Sequence, residues 1–465
     1  MKSFEKETAR RIQGALKTAA TTKIIEIGLG AIQKTARVFR ECFDDASAII
    51  IADVNTYSAA GRQVEEILKT DGIHMEHPFV FSDPNLYAEM KYVDQLVDVL
   101  SSSQAIAIAV GSGTINDLTK LASYRCSHQY MSITTAGSVD GYTAFGASIT
   151  EKSFKQTFYS PAPMAAIADL DVIADAPLEM NAWGYADLMA KIPAGADWII
   201  ADALGVEPIN PTSWGLVQNP LRKLISNPSG VKHRDYQALC FLLEGLIMSG
   251  LAMQQAQSSR PASGAEHQFS HLWDNQHHKH NGKTPSHGFK VAVGSLASLA
   301  LYEALFDLWD NSMDKIKIGK HSYWKGFSEI EKEIKNTFSN PVEAAQVIEQ
   351  SRQKYIDFTD LEKRLNRVVE IWPELSRNLQ RQLMGFSEFK AMLQQVDAPI
   401  APMDIGIELN RLKKSYGLAQ LIRKRYTILD FTKELGVFET CVNSIFISGK
   451  YWEKQYNTLT DNRYE

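Results

Sequence analysis

The sequence predicts an α/β domain at the N-terminal end followed by an all-helical domain. In the first part, short and almost wholly apolar runs alternate with helical patterns, which is typical of a parallel sheet covered on both faces. After about Asp175 helical patterns dominate, as in the apolar runs 239–252 and 291–308. We therefore expect residues 1–175 to form the α/β domain and residues 176–465 the all-α domain, with a cleft between them.

Five short apolar segments predict the strands of the sheet. They are residues 23–27, 46–52, 104–110, 131–134 and 164–168. Their length and their bounding turn residues favour strands over helices.

Two helix starts are marked in the second part of the chain. Asn340 before Pro341 predicts an asparagine-capped helix with proline at its first position. Thr359 followed by Glu362 resembles a capping box, which would start another helix there.

Composition narrows the function classes. The net charge of -5 gives no reason to expect nucleic acid or an anionic membrane as a partner. The four cysteines are scattered without a CxxC pair and are expected to be reduced structural thiols. The N-terminal segment lacks the apolar core of a signal peptide, and we expect no apolar run to reach the length of a membrane span. We expect a cytoplasmic protein that binds a small molecule in a local pocket.

Two glycine-rich turns follow predicted strands. Gly28 and Gly30 form an incomplete dinucleotide fingerprint, which is a weak signal. The turn Gly111-Ser112-Gly113-Thr114-Ile115 lies between a buried strand and a helix, where free N–H groups and the helix dipole favour a phosphate. The alternative for this second turn is an ordinary connection between a strand and a helix.

Asp53 ends the second predicted strand. A carboxylate there is placed to accept hydrogen bonds from an adenosine ribose, and it would repel a 2′-phosphate, which favours NAD over NADP. The alternative is an exposed carboxylate at a strand end without a role in binding.

A stretch from residue 259 to 288 contains six of the eleven histidines. Such density favours a metal site or a proton relay. His267 and His271 are spaced i, i+4, so on a helix they share a face and would form the simplest ligand pair. His287 follows after a loop. The triplet His277, His278 and His280 lies in a polar run and is expected to face solvent.

Six segments in order carry a resemblance to a known family. They are GSGTINDLTK (111–120), ITTAGSVDGYTAFGAS (133–148), ADLDVIADAP (168–177), GYADLMAK (184–191), SRPASGAEHQFSH (259–271) and PSHGFKVAVG (285–294). Together they resemble sn-glycerol-1-phosphate dehydrogenases, and among them the bacterial AraM-type branch. That family is part of the superfamily of iron-containing alcohol dehydrogenases, glycerol dehydrogenases and dehydroquinate synthases, with a Rossmann-like nucleotide-binding domain and an all-α metal-binding domain.

The resemblance implies a divalent metal in the interdomain cleft, held by Asp187, His267 and His287. It replaces the simple histidine pair, because His271 would contact substrate instead of metal. Asp187 and His271 would be the catalytic residues, and Asp140 would join them in contacting substrate. The metal is nickel in the AraM-type branch and zinc or iron in other members, and a site of one carboxylate and two imidazoles suits all three.

The family's nucleotide contacts correspond to the glycine-rich turn and to a few residues after it. For NAD or NADP they are Gly111, Ser112, Gly113, Thr114, Ile115, Thr135, Ser138 and Ala144. At Ala144 only the backbone has hydrogen-bonding groups to offer.

The implied reaction is the NAD(P)-linked interconversion of dihydroxyacetone phosphate and sn-glycerol 1-phosphate by a homodimer or larger homo-oligomer. Arg260 and Lys290 flank the metal motifs and either bind the substrate phosphate or form surface or salt-bridge contacts. Three alternatives stay open: a glycerol or polyol dehydrogenase acting on an unphosphorylated substrate, a cyclase of the dehydroquinate synthase type, and a catalytically silent metabolite-binding module.

Overall fold

The computed structural model describes residues 2–151, 154–311, 323–447 and 451–452. The strands are β1 (Ile24–Gly28), β2 (Ala48–Asp53), β3 (Phe79–Phe81), β4 (Ile106–Gly111), β5 (Tyr130–Thr134), β6 (Ala147–Glu151), β7 (Phe154–Phe158) and β8 (Ala165–Asp169). The helices among and beside them are α1 (Ser3–Leu16), α2 (Thr35–Phe43), α3 (Val54–Thr56), α4 (Arg62–Thr70), α5 (Met90–Ser101), α6 (Gly113–Arg125) and α7 (Leu170–Asp175).

The second part is helical throughout its described residues. Its helices are α8 (Leu178–Met189), α9 (Lys191–Ala203), α10 (Pro211–Leu224), α11 (Pro228–Lys232), α12 (Tyr236–Ala256), α13 (Ala265–Asn275), α14 (His287–Asn311), α15 (Phe327–Thr337), α16 (Pro341–Lys354), α17 (Phe358–Gln382), α18 (Phe386–Gln395), α19 (Leu409–Leu421), α20 (Ile428–Glu434) and α21 (Phe438–Ile445). The predicted fold class, an α/β part followed by an all-α part, is confirmed.

Among the described residues, six parallel strands form one sheet in the order β1-β8-β5-β4-β2-β3. The chain passes from β2 outward to β3, and from β4 in the opposite direction to β5 and β8. The junction of β2 and β4 is therefore the point at which the strand order reverses, and ligands of open parallel sheets bind at the carboxyl edge of such a point. The turn after β4 lies at that edge.

The five strands predicted from apolar runs are all present, with ends displaced by at most two residues. They were recognisable because both of their faces are covered, so their sequences are almost continuously apolar. The strands β3, β6 and β7 were not predicted. The first has three residues, and the other two form an antiparallel hairpin in which polar and apolar residues are mixed.

Two helices of the central core correct an expectation from sequence. By length and composition, α12 and residues His287–Asp310 of α14 are apolar enough to cross a membrane, so the statement that no apolar run reaches this length is wrong. However, 89% of the apolar window of α12 and 78% of that of α14 are buried inside the protein. Such burial is typical of core helices, which pass the same test as membrane spans.

Helix α1 packs on the helical part, although it begins the chain. Phe4 and Ile12 are buried in the same apolar cluster as α12. The hydroxyl of Thr8 donates a 2.6 Å hydrogen bond to Glu244, which also forms an ion pair with Arg11. Contacts of α1 thus cross the proposed boundary at residue 175, and the division into residues 1–175 and 176–465 stays a prediction.

One of the two predicted helix caps is confirmed and the other is wrong. The side chain of Asn340 accepts hydrogen bonds from the backbone N–H groups of Val342 and Glu343 at the start of α16. Helix α17 begins before Thr359, because the Asp357 carboxylate accepts a 2.9 Å hydrogen bond from the Asp360 N–H and already caps the helix.

Candidate metal and substrate site

Four side chains from three helices meet at the centre of the site. Asp187 lies on α8, His267 and His271 on α13, and His287 is the first residue of α14. One ligand atom each of Asp187, His267 and His287 lies within 4.8 Å of the others. The ring centroid of His271 is 6.3 Å from that of His267 and 6.2 Å from that of His287. Residues up to 100 positions apart in sequence thus form one cluster.

Close helix packing at two glycines brings these elements together. A Cβ atom on Gly184, in α8, would collide with the backbone carbonyl of Gly137 in the loop after β5. A Cβ atom on Gly294, in α14, would collide with the backbone carbonyl of Glu266, next to His267. Because these obstacles are backbone atoms, a side chain at either position would force the helices apart.

We expect Gly184→Ala to weaken the site by displacing the helix that bears Asp187. Overpacking of this kind typically costs about 1–3 kcal/mol of unfolding free energy, and metal affinity should fall with it. Gly417→Ala is the matched control, since a Cβ at this glycine of α19 meets nothing within 4 Å; gaining alanine's helix propensity should leave the protein as stable or more stable. Urea unfolding and metal titration of both variants measure this. Equal behaviour of the two would contradict the packing argument.

Lys191, the first residue of α9, is buried between two carboxylates. Its Nζ atom lies 2.7 Å from Asp140 Oδ2 and 2.8 Å from Asp187 Oδ1. Burial opposes its charge, but the two carboxylates outweigh burial and raise the pKa of Lys191. Burial also opposes ionisation of Asp187, yet the lysine and the nearby histidines lower the pKa of that carboxyl far below its usual value. The lysine therefore stays charged and the carboxylate stays ionised.

His267 is oriented from behind by an acidic neighbour. Its Nδ1 lies 2.8 Å from Glu266 Oε1, while its Nε2 lies 3.5 Å from Asp187 Oδ1. Glu266 in turn accepts a hydrogen bond from the N–H of Gly264. Such a carboxylate behind an imidazole fixes the ring and raises its basicity as a ligand.

A second buried carboxyl lies behind Glu266. Asp197 accepts hydrogen bonds from the Tyr302 hydroxyl and from the N–H groups of Ala265 and Ile428. Burial first, and then the charge of Glu266, raise the pKa of Asp197 to about 7. Because Ile428 begins α20, this carboxyl ties the C-terminal helices to the start of α13.

The other two histidines differ in their partners. His287 Nδ1 lies 3.3 Å from the Ser270 hydroxyl, and burial lowers the pKa of His287 to about 3. Among the described residues, the buried Nδ1 atom of His271 has no hydrogen-bond partner. Burial, and after it the positive charge of Arg423, lower the pKa of His271 well below its usual value. Both imidazoles are therefore neutral at pH 7.

The donor set fits a divalent transition metal. One carboxylate and two imidazoles are ligands that zinc, nickel and iron accept, and three protein ligands leave positions open for substrate. At bond lengths near 2.1 Å, ligand atoms around one ion lie roughly 3–4 Å apart. The 4.8 Å limit of the cluster is close to that spacing, so small side-chain movements suffice for binding.

The cleft between the sheet and the helices measures about 590 Å³. Of the residues expected to contact the cofactor, Ser112, Gly113, Thr114 and Ser138 line it, together with Asp140 and His287. Asp53, Gly111, Ile115, Thr135 and Ala144 lie outside this lining. Ser112 precedes the first residue of α6, so the N–H groups at the start of this helix could donate to an anion bound in the cleft.

The residues outside the lining support the turn or cap a helix. The Thr135 N–H donates to the Gly111 carbonyl, which joins the ends of β4 and β5, and Ile115 and Ala144 are buried. Asp53 accepts hydrogen bonds from the N–H groups of Asn55 and Thr56 and thereby caps α3.

The two basic residues considered for phosphate binding are buried in internal contacts. Arg260 donates to the carbonyl groups of Asp197 and Tyr426, and its Nε atom lies 3.3 Å from Glu207 Oε2. Lys290 forms an ion pair with Asp274. The salt-bridge alternative therefore describes both residues, and the lysines that line the cleft are Lys155 and Lys283.

The expectation that the histidine triplet faces solvent is wrong for His278. This ring is buried and bonds to the Ile405 carbonyl and to Arg411. His277 is exposed and His280 is partly exposed. The polar sequence around His278 does not indicate its burial, because its partners are residues more than 120 positions later in the chain.

Known proteins resemble the chain in sequence and in fold. The family model for iron-containing alcohol dehydrogenases matches residues 6–177. The NAD(P)+ glycerol-1-phosphate dehydrogenase of Halalkalibacterium halodurans is 38% identical over 256 residues, which is 55% of this chain and 64% of that protein, less than two thirds of its length. The protein of the same name from Bacillus velezensis is 32% identical over 64% of this chain and 77% of its own.

Solved structures share the fold at low sequence identity. The glycerol dehydrogenase of Schizosaccharomyces pombe superposes with a TM-score of 0.59 and 15% identity, covering 91% of both chains. The fold is therefore the one of this glycerol dehydrogenase, and residues 6–177 match the model of iron-containing alcohol dehydrogenases. The identity to the Bacillus velezensis protein over most of its length shows that the chain belongs to the glycerol-1-phosphate dehydrogenase family.

Proposed function

We propose that the chain is a metal-dependent, NAD(P)-linked dehydrogenase that interconverts dihydroxyacetone phosphate and sn-glycerol 1-phosphate. The observation that carries the proposal is that the glycine turn at the start of α6 and His287 of the carboxylate–histidine cluster line one cleft, in a chain whose relatives bear the name of this activity. The names of the relatives include NAD(P)+, and the class includes metal-dependent enzymes.

Asp187, His267 and His287 would hold the metal, which we propose to be nickel, zinc or iron. A bound divalent metal would polarise the substrate carbonyl as a Lewis acid, and the nicotinamide would supply the hydride. Glu266 orients His267, and Lys191 keeps the Asp187 carboxylate ionised in a buried setting. Both arrangements support a preformed ligand set.

His271 would hydrogen-bond a substrate oxygen and exchange a proton with it. Its lowered pKa keeps the imidazole neutral at pH 7, and its Nδ1 atom lacks a partner among the described residues. A neutral imidazole with a free nitrogen can accept a proton from an alcohol or return it to an alkoxide. Asp140 would contact the same substrate, since Lys191 and the Ser249 hydroxyl hold its carboxylate beside Asp187.

The cofactor would bind across the carboxyl edge of the sheet. The N-terminal turn of α6, with Ser112, Gly113 and Thr114, would bind the pyrophosphate, and Ser138 would line the site opposite. NAD is favoured over NADP because Asp53 stands at the end of β2, where a carboxylate repels a 2′-phosphate. We also propose a cytoplasmic homodimer or larger homo-oligomer that has a small phosphorylated triose as its ligand and no nucleic-acid or membrane partner.

The test is NADH oxidation by protein loaded with nickel, zinc or iron in parallel. We expect turnover with dihydroxyacetone phosphate and at least about tenfold lower kcat/KM with dihydroxyacetone, a difference of about 1.4 kcal/mol in transition-state binding. Equal turnover of the two ketones would favour a polyol dehydrogenase. Absence of turnover with either ketone, by protein that binds both metal and NADH, would overturn the proposed reaction.

A further inference from the structure

A second cavity opens beside the cleft and contains two cations. It measures about 690 Å³ and is lined by residues of β7, the end of α13, helix α16 and the segment between α19 and α20. Lys155 and Arg423 belong to its lining. Lys155 also lines the cleft together with Asp140 and His287, so the two cavities meet at this lysine.

Arg423 differs from the other buried cations near the site. Lys191 and Lys290 pair with carboxylates, and Arg260 donates to backbone carbonyls. The guanidinium of Arg423 is partly buried, and within the described ranges it makes no hydrogen bond or ion pair. A cation partly withdrawn from water without a partner destabilises a protein, so its presence at this cavity points to an anion that binds from outside.

The backbone on which Arg423 lies is fixed next to the metal-site helix. Two residues later, the Arg425 guanidinium donates to the Ser263 carbonyl and the Ser259 hydroxyl, in the loop that leads into α13. The Arg425 carbonyl accepts a hydrogen bond from Gln268, which follows the expected ligand His267. The position of Arg423 is thus tied to the same helix that carries the histidines.

The charge of Arg423 affects His271, the expected proton carrier. After burial, this charge makes the largest contribution to lowering the pKa of His271, and the charge of Lys155 acts in the same direction. Lys155 has a partner at 3.5 Å, Asp274, which also pairs with Lys290. Asp274 is thus shared by two lysines, while no ion pair joins Arg423 to a carboxylate among the described residues.

Two carboxylates also line the cavity, from the side of α16. Glu349 is exposed and Glu343 is partly buried. Among the described residues, neither forms an ion pair with Lys155 or Arg423. They therefore leave both cations available to a ligand.

We propose that Lys155 and Arg423 bind the phosphate group of the substrate, with the cavity as its phosphate subsite. The proposal rests on the proposed function for the identity of the ligand. A guanidinium offers two parallel N–H donors to a phosphate, and an ammonium adds a point charge. Arg423 comes from the segment between α19 and α20, so this subsite gives the C-terminal helices a direct role in choosing a phosphorylated ketone over an unphosphorylated one.

The test compares Arg423→Gln and Lys155→Gln with Lys424→Gln. Lys424 is an exposed neighbour outside both linings, so its variant controls for the change in charge. We expect each of the first two variants to lose at least about tenfold in kcat/KM for dihydroxyacetone phosphate, mainly through KM, as expected when a charged contact is removed. The loss for dihydroxyacetone should be much smaller, because this ketone has no phosphate, so the preference for the phosphorylated ketone should fall. Lys424→Gln should keep both activities and the wild-type preference.

A binding measurement separates this subsite from the reaction itself. Inorganic phosphate should raise the unfolding temperature of the wild type, because a ligand of the folded state stabilises it, and should raise that of Arg423→Gln much less. The ligand-free Arg423→Gln protein should be as stable as the wild type or more stable, since it loses a partly buried cation that has no partner among the described residues.

Each outcome separates the two proposals. If Arg423→Gln keeps the full wild-type activity on the phosphorylated ketone, the phosphate subsite is overturned and the dehydrogenase proposal stands. Equal loss of both ketone activities would also overturn it. If the wild type does not act on the phosphorylated ketone, the unfolding temperature decides between the proposals. An increase with phosphate that depends on Arg423 would support an anion site and overturn only the proposed reaction. The absence of such an increase would overturn both proposals.

Discussion

Replacement of His287 by alanine is expected to remove bound metal and turnover together. The change leaves Asp187 and His267 as the remaining ligand atoms of the cluster, and two protein ligands hold a divalent ion far more weakly than three. Since loss of supporting contacts alone typically costs 10–100-fold in metal affinity, loss of a ligand should cost more than about 100-fold. Metal content after dialysis and steady-state NADH oxidation are the two measurements.

His271→Ala is the matched variant, because this ring lies in the same cluster, 6.2 Å from His287. It should keep wild-type metal content and lose about 10²–10⁴-fold in kcat, the usual share of general acid–base catalysis. Alanine suits the helical backbone at both positions, so circular dichroism should show both variants folded. Metal loss in His271→Ala with metal retained in His287→Ala would reverse the ligand assignment.

The sheet could be predicted where its strands are buried on both faces. Strands β2 and β4 have almost no exposed residue, so their apolar runs stand out in the sequence. The hairpin of β6 and β7 has a mixed pattern without this signal, and it was missed although it supplies Lys155 to the cleft. The pattern of apolar residues in a strand reflects which of its faces are buried. A hairpin that is only partly covered, beside a cleft, therefore gives a weak pattern.

Site residues were recognisable from sequence only inside characteristic motifs. Asp187 is recognisable through its motif. The motif assigns no role to Lys191 in the same segment, although its i, i+4 spacing from Asp187 is a visible sign of a charge pair. The motif likewise assigns no role to Glu266, which directly precedes His267. Arg423 has no signal in the sequence, because its electrostatic effect on His271 depends on the tertiary packing of α13 against the C-terminal helices.

The stability of the site depends on how the charges of its two carboxylates are neutralised. Asp140 and Asp187 are two carboxylates within reach of one lysine, and without a cation they would repel each other in a setting of low polarity. In the metal-free protein Lys191 is the cation that neutralises them. A bound metal would share that task, so the lysine and the metal should be energetically coupled.

Lys191→Met is therefore expected to destabilise the metal-free protein by about 3–5 kcal/mol, the usual cost of removing one partner of a buried ion pair. Methionine has a similar length and leaves the charge as the main difference. Saturating nickel or zinc should recover part of this loss, because the metal neutralises Asp187 directly. Urea unfolding of wild type and variant, in chelator and in excess metal, gives the coupling as a double difference.

Lys223→Met provides the control for losing a lysine charge. Lys223 pairs with Glu7 on the surface, where about half of its side chain is exposed, and such pairs contribute roughly 0–1 kcal/mol. If Lys191→Met in chelator cost no more than Lys223→Met, the buried lysine would not be holding the two carboxylates. The loss of unfolding free energy in Lys191→Met could also be the same with and without metal. Lys191 would then stabilise the fold independently of the metal site, because the lysine and the metal are coupled only through the Asp187 carboxylate that they share.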